Sequence, residues 1–190
     1  MTQAKGSDID PSHRSARCFR VALEAMARPG SILAIDGPIP PLPPLPVSRA
    51  AGALILTLAD QTTPVHLAGA HDCAAVQDWI LFHTGAPLAA AAEAQFAIGP
   101  WQALLPLEAF AQGSAEFPDR SATLIVECAA LSASGAILRG PGIRDQSCLS
   151  LPETAAFAAN RARFPLGLDF FFTAGDRLAA LPRSIEVEAA

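Results

Sequence analysis

Leu168-Asp169-Phe170-Phe171-Phe172-Thr173 is the stretch that decides the architecture. It is almost wholly apolar, which predicts a strand covered on both faces and therefore central in its sheet. Side chains alternate along a strand, so the rings of Phe170 and Phe172 face one side and that of Phe171 the other. Helices of the same chain or a second copy must cover both faces, and burial in the chain's own core is the default expectation.

The neighbouring segments extend the pattern. Gly175-Asp176 turns the chain, and residues 177–181 start a last strand, closed by Pro182. Upstream, Ser150-Leu151-Pro152-Glu153 has capping-box spacing and predicts a helix running to about Arg163. Residues 122–128 are β-branched and aliphatic and predict a strand. Ile137-Leu138-Arg139 follows a Ser-Gly turn, and the two runs together read as a hairpin.

Helical periods dominate the first half. Asp10-Pro11 reads as an N-cap with proline at the first helical position. Ala16, Phe19, Leu23 and Met26 form one apolar face, and Pro29-Gly30 ends the helix. Residues 31–35 predict a short strand. Ser48 is placed to cap a second helix with Ala51, Leu54, Ile55 and Leu58 inward, ending near Asp60. Residues 64–67 predict a short strand. Asp72 is the expected cap of a third helix carrying Val76, Trp79, Ile80 and His83, broken at Thr84-Gly85-Ala86-Pro87. Residues 96–98 predict a strand, and residues 101–110, interrupted by Pro106, a turn or short broken helix. The prolines of residues 38–46 exclude a helix or a central strand there. Such a run either spans a surface between elements or recruits an SH3-like module, and the first is preferred.

Alternating helices and strands followed by hairpin-like pairs give the expected fold class: α/β, a three-layer domain on a mixed sheet. Residues 1–12 are expected to be a flexible tail and residues 13–190 a single domain.

Composition narrows the function classes. The chain has 190 residues, 51% hydrophobic and 16% charged, with a net charge of −5. Such a chain can bury a sizeable core. It has no basic run, which argues against a nucleic-acid surface. Residues 1–12 lack the apolar core of a signal peptide, and no apolar run reaches transmembrane length. Cys18, Cys73, Cys128 and Cys148 are widely spaced. Reduced thiols in a cytoplasmic protein are therefore expected. Lys5 is the only lysine and lies in the tail, so the folded body has none for a Schiff base or a phosphate loop.

Each motif with chemical potential has a plainer reading. His71-Asp72-Cys73 gathers metal-ligand types, but adjacent residues at a helix start diverge, and no metal site is expected. Arg139-Gly140-Pro141-Gly142 lacks phosphate-loop spacing and reads as a tight turn. There is no G-x-S-x-G elbow. Three residues stay open as ligand or partner contacts. His83 ends an amphipathic helix, where a cation also complements the dipole. Asp60, like Asp169, sits at the edge of an apolar segment as a base or a turn-former. Arg183, in Pro182-Arg183-Ser184, suits a phosphate or carboxylate, or simply solvent.

The order of segments adds a further reading. Phe19-Arg20 leads to Ala25-Met26 and Pro29-Gly30. Leu56-Thr57-Leu58-Ala59-Asp60 with Thr63-Pro64-Val65 comes next. Phe82-His83-Thr84 with Ala86-Pro87-Leu88 follows, then Ala122-Thr123-Leu124-Ile125 and Leu138-Arg139-Gly140-Pro141-Gly142-Ile143. Phe164-Pro165-Leu166-Gly167-Leu168-Asp169, Leu181-Pro182-Arg183-Ser184 and Val187-Glu188 close the series. This ordered set, over about residues 15–188, resembles the PhnH family, the H subunits of the bacterial carbon–phosphorus lyase system for phosphonate use. The proline-rich run at 38–46 is a local departure from that pattern.

The resemblance implies a fold like the large domain of pyridoxal-phosphate-dependent transferases, without the cofactor. The absence of a lysine in the body points the same way on pyridoxal phosphate. It also implies a homodimer that joins a core complex with the G, I and J subunits. With G, I and L, it implies transfer of ribose triphosphate from ATP to an alkylphosphonate, releasing adenine. That is the reaction of an alpha-D-ribose 1-methylphosphonate 5-triphosphate synthase, a transferase in which this chain alone is expected to be inactive. No catalytic residue carries over. A stand-alone small-molecule enzyme or binding protein using Asp60, His83 or Arg183 remains the alternative, as does a pure scaffold.

Overall fold

The computed structural model describes residues 11–35 and 41–190. The expected cap at Asp10, the only lysine, Lys5, and Pro38 to Pro40 lie outside the described residues. Among the described residues there are four α-helices: α1 (Pro11–Ala27), α2 (Arg49–Leu58), α3 (Ala74–Thr84) and α4 (Ala155–Arg161). A six-stranded sheet contains β1 (Leu33–Ala34), β2 (Val65–Leu67), β3 (Phe96–Pro100), β4 (Thr123–Glu127), β7 (Asp169–Ala174) and β8 (Arg177–Leu181). A separate antiparallel sheet contains β5 (Ala136–Arg139), β6 (Ser147–Leu149) and β9 (Glu186–Glu188).

The large sheet runs in the order β1-β8-β7-β4-β3-β2. β2, β3, β4 and β7 are parallel, and β8 and β1 are added antiparallel. The Phe170-Phe171-Phe172 run lies in β7, between β4 and β8, as its composition requires. Its alternation sorts the core into two. Phe171, with Ile98, Ile125, Leu178 and Ala180, packs against α1, α2 and α3. Phe170 and Phe172, with Leu124, Val126 and Leu181, meet Phe157 of α4, Trp101 and the small sheet. Each buried phenyl ring contributes roughly 1.5–3 kcal/mol. The result is three layers on a mixed sheet, with both faces of β7 covered by the chain itself.

Local signals explain the helix ends. Ser48 caps α2, its Oγ accepting the Ala51 N–H at 3.2 Å. Gly85 closes α3 in the left-handed conformation. Pro43 of the proline-rich run packs on α2 at Gly52, where an added Cβ would lie 2.6 Å from its Cγ. In its described part, that run is a spacer laid against the body.

Several expectations need correction. Residues 122–128 and 137–139 do not form a hairpin: β4 pairs with β3 and β7, whereas β5 pairs with β6 and β9. The strand at 177–181 is not the last, since β9 follows. Asp72 does not cap α3. Cys73 occupies that position, and Asp72 instead accepts the Gln77 side-chain N–H at 2.6 Å. The Ser150–Glu153 capping box does not form either. Ser150 Oγ accepts the Ser132 N–H, Glu153 accepts the Trp101 indole N–H at 2.8 Å, and α4 starts at Ala155.

Candidate functional site

Parallel strands share a carboxyl edge, and open α/β sheets place their ligands outside that edge. Here the edge carries a cluster built by the register between β4 and β7. Glu127 pairs with Thr173 across the ladder. The Glu127 side chain is 10% exposed. Its Oε2 accepts the Thr173 hydroxyl at 3.0 Å, and its Oε1 accepts the Ser48 N–H at 2.7 Å. A remote strand thus supplies the carboxylate half of a capping box for α2. The helix dipole favours a negative charge at that end. The Ala50 N–H, donated to the Gly175 carbonyl at 2.9 Å, fastens the same helix end to the β7–β8 turn.

His71 completes the cluster. It ends a short 3-10 turn, Gly69–His71, just past β2. Its side chain is 5% exposed, and its Nε2 lies 3.8 Å from Glu127 Oε1. That is too long for a hydrogen bond. Neither ring nitrogen has a partner, and both are sealed from solvent. An unpaired buried polar group costs about 1–3 kcal/mol. Cys128 adjoins the pair. Burial, and then the Glu127 charge, pushes its thiol up to about 11, so it stays protonated and unreactive near neutral pH.

The three residues singled out from sequence lie toward the opposite edge of the sheet. Asp60 follows α2. Its Oδ1 accepts from the Thr62 N–H at 2.8 Å, the Thr62 hydroxyl at 2.7 Å and the Thr63 hydroxyl at 2.9 Å. These bonds lower its pKa. His83 lies exposed in the last turn of α3, edge-on to Trp79 and Phe82 with ring centroids 5.5 and 4.8 Å apart. Gln61, next to Asp60, packs beside Gly85 at the end of α3, so Asp60 and His83 share a neighbourhood.

Arg183 is apart from them, at the start of β4 and β7. Its backbone N–H reaches Asp169 Oδ1 at 2.8 Å, and its Nε and Nη2 grip the same carboxylate. Nη1 donates to the Pro118 carbonyl at 2.7 Å, and Nη2 also donates to the Ser121 hydroxyl. The guanidinium ties the end of β8 to the segments entering β7 and β4. Asp169, considered as a base, is the other half of that clamp.

Sequence reasoning reached neither Glu127 nor the buried state of His71. From sequence, His71 reads only as one of three adjacent metal-ligand types with Asp72 and Cys73. Asp72 binds Gln77 of α3, and among the described residues no group of three or more His, Cys, Asp or Glu could hold a metal ion. Arg139-Gly140-Pro141-Gly142 is a turn. Gly142 has φ +84°, and an added Cβ would lie 2.1 Å from the Ala27 carbonyl oxygen, which only glycine avoids. The four cysteines are free. Among the described residues no helix is long and apolar enough to cross a membrane.

Comparison with known proteins covers nearly the whole chain. Residues 7–188 match the family model described as bacterial phosphonate metabolism protein (PhnH). The alpha-D-ribose 1-methylphosphonate 5-triphosphate synthase subunit PhnH of Rhizobium meliloti (strain 1021) is 38% identical, over 96% of this chain and 94% of the relative.

Proposed function

The chain belongs to the PhnH family, and from that premise we propose that it is a non-autonomous subunit of an alpha-D-ribose 1-methylphosphonate 5-triphosphate synthase in phosphonate catabolism. In this reading it acts in the cytoplasm with the G, I and L subunits to transfer ribose triphosphate from ATP to an alkylphosphonate, with release of adenine. It forms a homodimer and enters a core complex with G, I and J. It uses no pyridoxal phosphate.

The observation that carries the proposal is the near full-length match to a protein named as a subunit of that synthase. The state of the charged groups agrees with it. Arg183 and Asp169 hold each other, Asp60 orders its own turn, and Glu127 caps α2. These side chains serve the fold, and large apolar side chains on α3 face outward.

Reconstitution tests the reading. The purified chain with ATP and methylphosphonate should release no adenine. Addition of the G, I and L subunits should start release, and leaving this chain out of the full mixture should stop it. Steady turnover by the chain alone, or full turnover without it, would overturn the proposal.

A further inference from the structure

Phe82 is 83% exposed and Leu81 58% exposed, side by side near the end of α3. With Asp78, Trp79 and His83 they line a shallow hollow of about 530 Å³. The rings are not loose: His83 sits edge-on to both Trp79 and Phe82. A preordered aromatic cluster on a surface is the kind of feature that anchors a protein interface.

The charged side chain placed in the hollow is acidic. The segment that carries it, between Arg49 and Arg120, contributes neither lysine nor arginine. Asp78 lines the hollow, and the turn held by Asp60 adjoins the end of α3 through Gln61 and Gly85. The Thr62 and Thr63 bonds favour the ionised form of Asp60. The carboxyl end of α3 adds its own partial negative charge. The hollow is therefore an apolar cluster with a negative rim.

We propose that this end of α3 is a docking surface for another subunit of the synthase, one that presents an apolar side chain flanked by lysine or arginine. The proposal rests on the subunit reading above. A second copy of this chain fits poorly. In a two-fold contact the same patch faces itself, which would bring the Asp78 side chains and the Asp60 turns of both copies onto one rim.

The test uses the full chain co-purified with the other synthase subunits. Phe82→Ser and Leu81→Ser alter exposed side chains, so the thermal midpoint should stay that of the parent. Each should weaken heteromeric association at least tenfold and leave self-association unchanged. Asp78→Lys should weaken it severalfold and reduce its sensitivity to salt. Parent-like complex formation by both Phe82→Ser and Leu81→Ser would overturn the surface. Loss of self-association alone would assign it to a second copy instead. Failure of the parent chain to bind any other subunit would sink the subunit reading first, and this proposal with it.

Discussion

Glu127, the last residue of β4, accepts the backbone N–H of Ser48, 79 positions earlier in the chain, at 2.7 Å. One carboxylate thereby joins the carboxyl edge of the sheet to the start of α2, with Thr173 bound on its other oxygen. Removing it leaves the Ser48 N–H without its acceptor, and Thr173 with only a long bond to the Val126 carbonyl at 3.4 Å. Glu127→Ala should cost about 2–3 kcal/mol of unfolding free energy. Glu127→Gln keeps one acceptor oxygen for the Ser48 N–H, turns an NH2 donor toward the Thr173 hydroxyl, which must then accept, and loses the charge at the helix start; it should cost about 1 kcal/mol. Urea denaturation of the two variants checks the order. Equal losses would mean that the charge, and not the hydrogen bonds, matters.

The Arg183–Asp169 clamp makes a different prediction, because it is bidentate. Arg183→Ala leaves a carboxylate that is only 23% exposed without its cation. The expected loss is about 2–3 kcal/mol, below that of a fully buried pair because some solvent reaches the site. Lysine cannot reproduce the fork to Asp169 together with the bonds to Pro118 and Ser121. Arg183→Lys should therefore recover less than half of the loss. Recovery to parent stability would show that charge alone suffices.

Cys128 carries a pH signature. Its thiol is raised from an ordinary 9.0 to about 11 by burial and the Glu127 charge. The folded state thus favours the neutral thiol. The sign follows from linkage: this contribution to stability is complete below pH 9 and is lost as pH rises toward 11. Cys128→Ala should flatten that part of the stability curve. In the native protein at pH 8, alkylation mapped by mass spectrometry should find Cys128 modified only after unfolding. Rapid native labelling would contradict its assignment.

Asp60 should titrate below the usual aspartate range, because three hydrogen bonds from Thr62 and Thr63 stabilise its charged form. Its contribution to stability is present above the unfolded value and is lost as pH falls through the folded one. Carboxyl NMR titration reads this directly. Thr62→Ala removes the hydroxyl bond that contributes most and should move the midpoint back up. An unmoved midpoint would remove the explanation.

What was legible in the sequence follows from the range of each signal. The Phe170-Phe171-Phe172 alternation and the Ser48 cap depend on neighbours a few residues away, and both readings match the structure. The false hairpin between β4 and β5 arose because the true partners of β5 are the three-residue strands β6 and β9. Ser147-Cys148-Leu149 and Glu186-Val187-Glu188 are too short to show a period. Glu153 had the spacing of a capping residue, but the Trp101 indole, 52 positions away, takes its carboxylate. His71 and Glu127 come together only through the sheet order β2-β3-β4, which no local pattern records.

His71 provides the sharpest test of the carboxyl edge. Both ring nitrogens are buried and without partners, and Glu127 stands 3.8 Å away. An imidazole in that state costs stability relative to an apolar side chain that fills the same volume. His71→Leu should therefore leave the unfolding free energy unchanged or raise it by about 1 kcal/mol, once a small change in packing is included. Denaturation of the isolated chain measures this. A loss of about 2 kcal/mol or more would show that the imidazole has a partner in solution, most directly Glu127, whose carboxylate then serves the histidine as well as α2. Repeating the measurement on Glu127→Gln/His71→Leu separates the cases. If the two residues are independent, their effects add, and coupling beyond about 0.5 kcal/mol shows that they act as a pair.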